Sequence, residues 1–474
     1  MSERVAIWWI RRDLRLHDNL ALQAALRSGR RIVPLFILDP ALLRGERFGL
    51  PRLKFMLTGL QALDDSLRAR GGRLIVRHGD PRTILGDLAE RTGADAVYAN
   101  RDYSPYAERR DAAVSGEMAV PVHYFDDALL HAPEHTLKGD GTPFVIYTPY
   151  KRHWLTLPKP QPQFYVIGPD VWHDAGESET TLPTLHGLGY GETIPVPDAG
   201  EDAAARRLAG FMNTGVFSYR DSRDILAGDP FLYGGDAATS GLSAYLRFGM
   251  ISPRQMYAAA EEARERTVNT SQRESIDVWI SELAWREFYM TILFRFPYAY
   301  NTSFRQEFER VAFRHAPDEL LAWQEGRTGY PIVDAAMRQL HTTGWMHNRA
   351  RMIVASFLTK DLLIYWREGD VFFMKHLIDG DPAANNGGWQ WSAGTGTDAQ
   401  PYFRVFNPVT QSQKFDPQGM YIRRWLPQLR GIPDAHIHAP WTMSSPPADY
   451  PAPLVDHHAA RARALEAFKV VKNG

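Results

Sequence analysis

Cysteine does not occur among the 474 residues. The chain therefore has no disulfide, no thiolate nucleophile and no cysteine metal site, which fits a reducing compartment. Net charge is almost absent too, with a formal value of -1. No global field draws such a chain to nucleic acid, so a DNA-binding surface has to be a local basic patch offset by acid elsewhere. No apolar run reaches the ~18 residues of a membrane-spanning helix. Met1 to Ile10 lacks the layout of a signal peptide. The expectation is a cytoplasmic protein with no membrane partner. A GxGxxG after the first apolar run is also missing, which excludes an ordinary dehydrogenase module. There is no internal repeat and no low-complexity tract.

Aromatic residues are plentiful at 12%, and the 13 tryptophans concentrate in the second half. Apolar content of 44% and charged content of 23% are those of a soluble globular protein. The length exceeds one core, so two or three domains are expected. Residues 1–130 alternate short apolar runs (Val5–Ile10, Ile32–Asp39, Arg73–Gly79, Ala96–Arg101, Val122–Asp127) with helical patterns (Leu20–Ser28, Pro51–Arg70, Pro81–Thr92, Tyr106–Gly116). That alternation predicts a doubly wound α/β domain with a parallel sheet, and a ligand at the carboxyl ends of its strands. Gly29, Gly71 and Gly93 fall just past three of the helices, where a chain end wants positive φ. Residues 131–200 carry ten prolines from Pro133 to Pro197 and read as a long inter-domain connection, packed down by Tyr147, Tyr150 and Trp154. Residues 201–474 are mostly helical, through Glu201–Thr214, Leu242–Phe248, Pro253–Arg266, Ser275–Phe296, Tyr330–Thr342, Met346–Lys360 and Val371–Leu377. They predict an all-α domain with its own core.

The least ordinary stretch is Asp379 to Asp398, DGDPAANNGGWQWSAGTGTD. Asp379 and Asp381 are followed by Asn385 and Asn386, paired glycines, Trp389 and Trp391. Glycine lets something flat touch backbone, and Asp and Asn suit the edge of a heterocycle. The plain alternative is a Gly-rich loop with core tryptophans. In SELAWREFY, Glu282, Trp285, Arg286 and Tyr289 share one helix face, where an ordinary buried stripe is aliphatic. In TGWMHNRARM, Trp345, Asn348, Arg349 and Met352 repeat that spacing. His347 has no second histidine in register and reads as a helix histidine before a metal ligand. Thr239, Ser240, Gly241, Leu242 and Ser243 open a helix, where they are either an N-cap or an anion site. Tyr219, Arg220, Arg223, Arg404, Lys414, Arg423 and Arg424 mix cations with aromatics, as a nucleic-acid groove or a solvated face does.

At these residues the chain resembles the cryptochrome/photolyase family, in particular bacterial class I photolyases of cyclobutane pyrimidine dimers. The resemblance runs from WWIRRDLRLHDNLAL (Trp8 to Leu22), through TGYPIVDAAMRQL and TGWMHNRARMIVASFLTKDLLIYWREGD, to DGDPAANNGGWQWSAGTGTDAQPYFRVFNP. It implies an antenna domain over 1–130, a linker over 131–200 and a helical FAD domain over 201–474. It implies FAD phosphates at Tyr219 and Thr239 to Ser243, with Trp279 and Arg286 in the same site. Arg351 and Asp379 would pair over the flavin ring, and Asp381 would accept from the ring edge. Asn385 would face the ring's central nitrogen, where an amide suits a neutral radical and a reduced anion. Glu282, Trp285, Asn348, Arg349, Met352 and Trp391 would line the pocket for the extruded dimer, with Arg223 on backbone phosphate. UV-damaged DNA is the implied partner, and flipping a lesion is easier than flipping a normal base. Light would drive an electron from reduced FAD to the dimer, with Glu282 hydrogen-bonding the dimer; a monomer is implied.

Two departures stand out. The family's photoreducing tryptophans map to Trp389, Trp366 and then Phe313, a far poorer donor. Folate-binding members carry Glu and Lys where this chain has Ala107 and Asn301. Asp102 in NRDYSPYAERRD and Arg247 in LRFG are instead similar to members that bind a deazaflavin, so 8-hydroxydeazaflavin is the expected antenna, with FMN or an empty site as alternatives. The rival class is a cryptochrome, a light sensor without repair. MHNRARM differs from the paired-histidine segment of animal cryptochromes, and the chain reaches Gly474 without a long polar tail.

Overall fold

The computed structural model describes residues 4–176, 182–228 and 238–473. Five strands form one parallel sheet: β1 (Val5–Ile10), β2 (Arg31–Leu38), β3 (Ile75–His78), β4 (Ala94–Asn100) and β5 (Val122–Phe125), in the order β3-β2-β1-β4-β5. Each run is rich in β-branched and aromatic residues, and β1 is buried along its whole length, as a strand covered on both faces must be. The crossover helices are α1 (Leu20–Arg27), α2 (Pro40–Leu43), α3 (Leu50–Arg68), α4 (Pro81–Thr92) and α5 (Pro105–Glu117). Asn19, Asp39, Asp80 and Ser104 cap α1, α2, α4 and α5, and proline stands in the first turn of the last three. Gly29, Gly71 and Gly93 all take positive φ, as expected. The strand order reverses between β1 and β4, and Arg11, Arg12, Arg101 and Asp102 follow those two strands. That crevice is where an open α/β sheet binds ligands.

The segment expected as a connection packed down by Tyr147, Tyr150 and Trp154 contains a helix, α6 (Tyr147–Thr156), and all three of those side chains are buried. Beyond it come α7 (Glu201–Asn213), α8 (Tyr219–Ser222), α9 (Ser243–Arg247), α10 (Pro253–Glu265) and the long α11 (Thr270–Arg295). There follow α12 (Pro317–Gln324), α13 (Pro331–Thr343), α14 (Asn348–Ser356), α15 (Trp366–His376) and α16 (Pro382–Ala393). The chain closes with α17 (Pro408–Phe415), α18 (Met420–Trp425) and α19 (His457–Asn473). Two expectations need correction. The helix expected over Met346–Lys360 begins at Asn348, because His347 caps it, and ends in a π-turn over Phe357–Asp361. The helical half is also not packed only on itself. Trp323, Trp366 and Trp389 belong to a core made within that half. But Phe211, Tyr245, Trp279 and Phe288 share one apolar cluster with Trp8, Phe36 and Phe55, because α7 and α9–α11 cover the sheet's helical layer.

Buried charge fastens the same junction. Asp127, just past β5, receives two bonds from Arg15 (2.7 and 2.8 Å) and one from Arg254 of α10 (2.7 Å). Arg254 also donates to Asp18 at 2.9 Å. All four residues are at most 2% exposed. Burial alone would raise the Asp127 pKa, yet Arg15 and Arg254 outweigh it and hold it below its ordinary value. Removing one member leaves a charge stranded in the interior. Arg254→Ala is therefore expected to cost about 3–5 kcal/mol, read as a lowered urea midpoint.

Lys360 in the π-turn is fully buried; its Nζ donates to the Ala393 carbonyl (2.6 Å) and sits 3.6 Å from the Phe468 ring centre. Burial brings its pKa down from 10.5 to about 7. Between those values the unfolded chain binds the extra proton, so stability rises with pH across the window and the cost is full below it. Lys360→Met is expected to remove that slope and to stabilise the protein at neutral pH and below, checked by urea unfolding across the window.

Candidate functional site

Asp381 fixes the centre of the site. It caps α16 by accepting from the backbone N–H of Ala383 (3.0 Å) and Ala384 (3.2 Å), with Pro382 as the first helical residue. Asp379 to Asp398 is therefore mainly a helix, not a Gly-rich loop: a strong cap and a proline outweigh the helix cost of Gly387 and Gly388. Gly387 is needed for approach, since a Cβ there would lie 2.2 Å from Cδ1 of Tyr289 on α11. Gly369 of α15 has the same role against Trp389, 2.1 Å from such a Cβ.

The Arg351–Asp379 pair forms, at 2.8 Å. Ser243 donates to the same Asp379 oxygen at 2.7 Å, so the start of α9 meets the start of α16. Neither Thr239 nor Ser240 caps α9. Leu242 holds the cap position without a side-chain bond, and Gly241 takes φ 62°. Among the described residues, Thr239 Oγ1 and Asp379 Oδ1 are both buried without a hydrogen-bond partner. Orphaned polar oxygens at one locus call for a ligand with donors. Tyr219 and Trp279 are buried nearby, each 6.0 Å from Phe211 between their rings.

Along α11, Trp285 stacks on Tyr147 with ring centres 3.5 Å apart and planes 9° apart, and on Tyr289 at 5.4 Å. Tyr147 comes from the segment read as a connection; its backbone N–H donates to Asp398 (3.0 Å) and its hydroxyl to the Ser281 carbonyl (2.7 Å). The sequence marked it as a packing residue only. One turn before Trp285, Glu282 pairs with Arg223 at 2.6 Å, and Arg223 also lies over the Tyr219 ring. Glu282 is a third exposed, in a cleft where protein displaces most of its water. Burial raises its pKa and Arg223 opposes the rise without cancelling it.

On α14, Arg349 pairs with Asp224 at 2.8 Å and lies 4.3 Å over the Phe415 ring. Asn348 is exposed and Met352 half-buried. Trp345 does not share their face: it precedes the helix and is 5% exposed. His347 accepts from the Arg349 backbone N–H, which is the capping role, and burial brings its pKa down to about 4, so the ring is neutral. Trp389 and Trp366 are both buried and Trp391 is half-buried. Trp389 touches Trp323 at 5.9 Å, while Tyr365 lies 5.5 Å from Trp366 and 5.2 Å from Phe313. Trp323 and Tyr365 were not singled out from the sequence; their type is ordinary for a core and only the contacts mark them.

The two antenna candidates meet at the same centre. Arg12 bridges Asp102 (3.1 Å) and Asp381 (2.8 Å), and Arg247 is 3.9 Å from Asp381. Arg286 donates to the Ala128 carbonyl at 2.7 Å and adds its field. Burial alone would raise the Asp381 pKa, but Arg12, Arg247 and Arg286 hold it well below the carboxylate range. Burial, with Arg12 beside it, brings Arg247 down to about 9, and burial brings Arg52 to about 10. Positive charge is thus crowded here beyond what the two carboxylates neutralise. Arg12 and Arg52, both from the first half, were not singled out from the sequence.

An arginine-crowded centre, unpartnered buried oxygens and a stacked aromatic wall mark this site, and comparison with known proteins defines its class. Residues 6–164 match the family model described as DNA photolyase, and residues 279–470 match the FAD binding domain of DNA photolyase. A curated deoxyribodipyrimidine photo-lyase of Synechococcus sp. is 41% identical over 95% of this chain and 94% of its own length. A class III photolyase from Agrobacterium tumefaciens has a solved structure with TM-score 0.89 and 36% identity, covering 100% of this chain and 99% of that one. A Sulfolobus tokodaii photolyase, solved with two FAD molecules, gives 0.81 and 30%, covering 98% and 100%. A Synechocystis sp. PCC6803 cryptochrome gives 0.88 at 28%, with the same coverage. The chain belongs to the DNA photolyase family. The orphaned oxygens and the Ser243–Asp379–Arg351 chain fit its FAD. Asp379→Asn, which strands Arg351, is expected to weaken FAD about tenfold or more, measured by titrating FAD onto apoprotein.

Proposed function

We propose that this chain is a light-driven deoxyribodipyrimidine photo-lyase that repairs cyclobutane pyrimidine dimers in UV-damaged DNA. The observation that carries the reading is the aromatic wall of Trp285, Tyr147 and Tyr289 beside Glu282. A flipped dimer has two flat faces to stack and polar edges to bond. Glu282, its pKa raised by burial and its side chain held by Arg223, is the carboxyl placed to hydrogen-bond the dimer. Asn348, Arg349, Met352 and Trp391 complete the pocket, and Arg223 holds phosphate. Both arginines already carry a carboxylate partner, so phosphate binding exchanges one anion for another. Arg404, Lys414, Arg423 and Arg424 extend the basic rim.

FAD supplies the light-driven electron. Tyr219, Trp279, Thr239 to Ser243 and Arg286 would hold it, Arg351 and Asp379 would pair over its ring, and Asp381 and Asn385 would meet its edge and central nitrogen. Asp381 has its Arg12 bond and two cap bonds, which leaves one lone pair for that contact. Trp389 and Trp366 carry electrons in from the protein, with Phe313 unable to serve as the surface donor.

The crowded guanidiniums of Arg12, Arg52 and Arg247 support an anionic antenna beside Asp102, and 8-hydroxydeazaflavin is favoured over a folate because Ala107 and Asn301 stand where folate-binding members carry Glu and Lys. The class I assignment, the division at residues 130 and 200, a monomer and a cytoplasmic location belong to the same proposal. A cryptochrome-type sensor is the second reading, favoured only by the Synechocystis neighbour.

The test takes chemically reduced protein and a thymine-dimer oligonucleotide without oxygen, and compares blue light with dark. Thymine absorbance should return only in light. It should be lost, about a hundredfold in rate, in the double variant Glu282→Ala with Trp285→Ala. Flavin binding without repair would replace this reading with the sensor.

A further inference from the structure

Tyr365 stands at the N-cap of α15, a position that Ser, Thr, Asp or Asn ordinarily fills, and its side chain makes no cap bond. Its hydroxyl serves another partner. The phenol oxygen lies 2.8 and 3.0 Å from the two carboxylate oxygens of Glu309, and an O–H that faces a carboxylate donates. Glu309 is exposed, but its Oε1 is aimed by the Ser303 backbone N–H, which donates to it at 2.8 Å. The Ser303 hydroxyl also accepts from Trp366 Nε1 at 3.2 Å, so one residue ties the indole to the carboxylate. The half-buried Tyr365 ring is 5.5 Å from the ring of Trp366, which is fully buried with Trp389 in the core of the helical half. The rings beyond Tyr365 are phenyls, which give up an electron poorly: Phe313 at 5.2 Å, and Phe468 at 6.1 Å from Phe313. Trp323, an indole against Trp389, is fully buried and donates to the Val354 carbonyl (3.1 Å), which cannot take a proton. Burial, and then the bond to Glu309, raises the Tyr365 pKa, so the phenol keeps its proton until it is oxidised.

We propose that Tyr365 is the terminal electron donor of this chain and Glu309 its proton acceptor, in place of the surface indole that Phe313 replaces. This rests on the reading above that Trp389 and Trp366 carry electrons toward FAD. The oxidant is FAD excited by light, and one electron moves at each step: from Trp389 to the flavin, from Trp366 to Trp389, and from Tyr365 to Trp366. The phenol O–H bond then breaks, its proton passes along the hydrogen bond to Glu309, and a neutral tyrosyl radical remains. Both indoles return to their starting state. An oxidised phenol is a very strong acid, and transfer of its proton to a base in contact keeps the electron from falling back. The exposed Glu309 carboxyl passes the proton on to water, and a thiol from solution restores the phenol by giving up one hydrogen atom.

The test is a blue-light flash on the FAD-loaded protein. Electron paramagnetic resonance of samples made with ring-deuterated tyrosine identifies the protein radical, transient absorption times it, and thermal midpoints are recorded alongside. The unaltered protein is expected to form a tyrosyl radical. Tyr365→Phe should lose it and leave the oxidised state on tryptophan. Glu309→Gln keeps a hydrogen-bond acceptor but cannot take the proton, and should form the tyrosyl radical about a hundredfold more slowly, the worth of a positioned base. A packing role for Glu309 would not move that rate. An undiminished tyrosyl radical in Tyr365→Phe would pass the role to another tyrosine, such as Tyr402 at 6.0 Å from Phe468, and overturn the proposal while the tryptophan relay stands. So would an unchanged rate in Glu309→Gln, or a flash on the unaltered protein that leaves only a tryptophan radical. An undiminished tyrosyl radical in Trp366→Phe would sink the relay reading and the proposal together.

Discussion

The fold depends on charges that cannot be left alone. Arg15, Asp18, Asp127 and Arg254 are out of water, and each is tolerable only because the others are in place. Two of the carboxylates come from the sheet layer and one of the guanidiniums from α10. An apolar junction would tolerate small slips between the two halves. This one has a single register, because a slip would strand an ion. The shared apolar cluster supplies the attraction, and the buried ions set the position.

The same device is repeated where the chemistry lies. Arg12 reaches Asp381, Arg47 reaches Asp370, and Arg52 donates to the carbonyls of Met374 and Leu377. Each arginine belongs to the first half and each acceptor to the helical half. Arg12, Asp102, Asp381 and Arg247 form one electrostatic unit, so the crevice after β1 and β4 and the start of α16 are not separate. A charge change in either alters the field at the other.

The strands and their flanking helices were legible because buried parallel strands read as continuous β-branched runs, and because Gly29, Gly71 and Gly93 mark helix ends. The face of Glu282, Trp285, Arg286 and Tyr289 was legible for a similar reason: the helical period put unusual side chains together. Helix α16 was obscured by its glycines, whose low propensity was outweighed by Asp381, Pro382 and the need to approach Tyr289. Trp345 was placed on the wrong face because the cap at His347 starts α14 later than the apolar period does. The role of Tyr147, and those of Arg12, Arg47 and Asp370, had no local signature. They are made by contacts across 100 or more residues, which no spacing rule carries. The family resemblance supplied most of the site, and the geometry supplied the partners behind it.

The shared cluster has a consequence for how such a molecule can diversify. Two modules joined by a linker could exchange light-gathering units whole, as cassettes. Here Tyr219 and Trp279 belong to the same apolar cluster as the sheet and its helices, so the first half cannot be traded without rebuilding the second. The freedom to vary is left to the loops after β1 and β4, where Arg12 and Asp102 stand. A graft between relatives would succeed only if the donated sheet brought its own matching arginines.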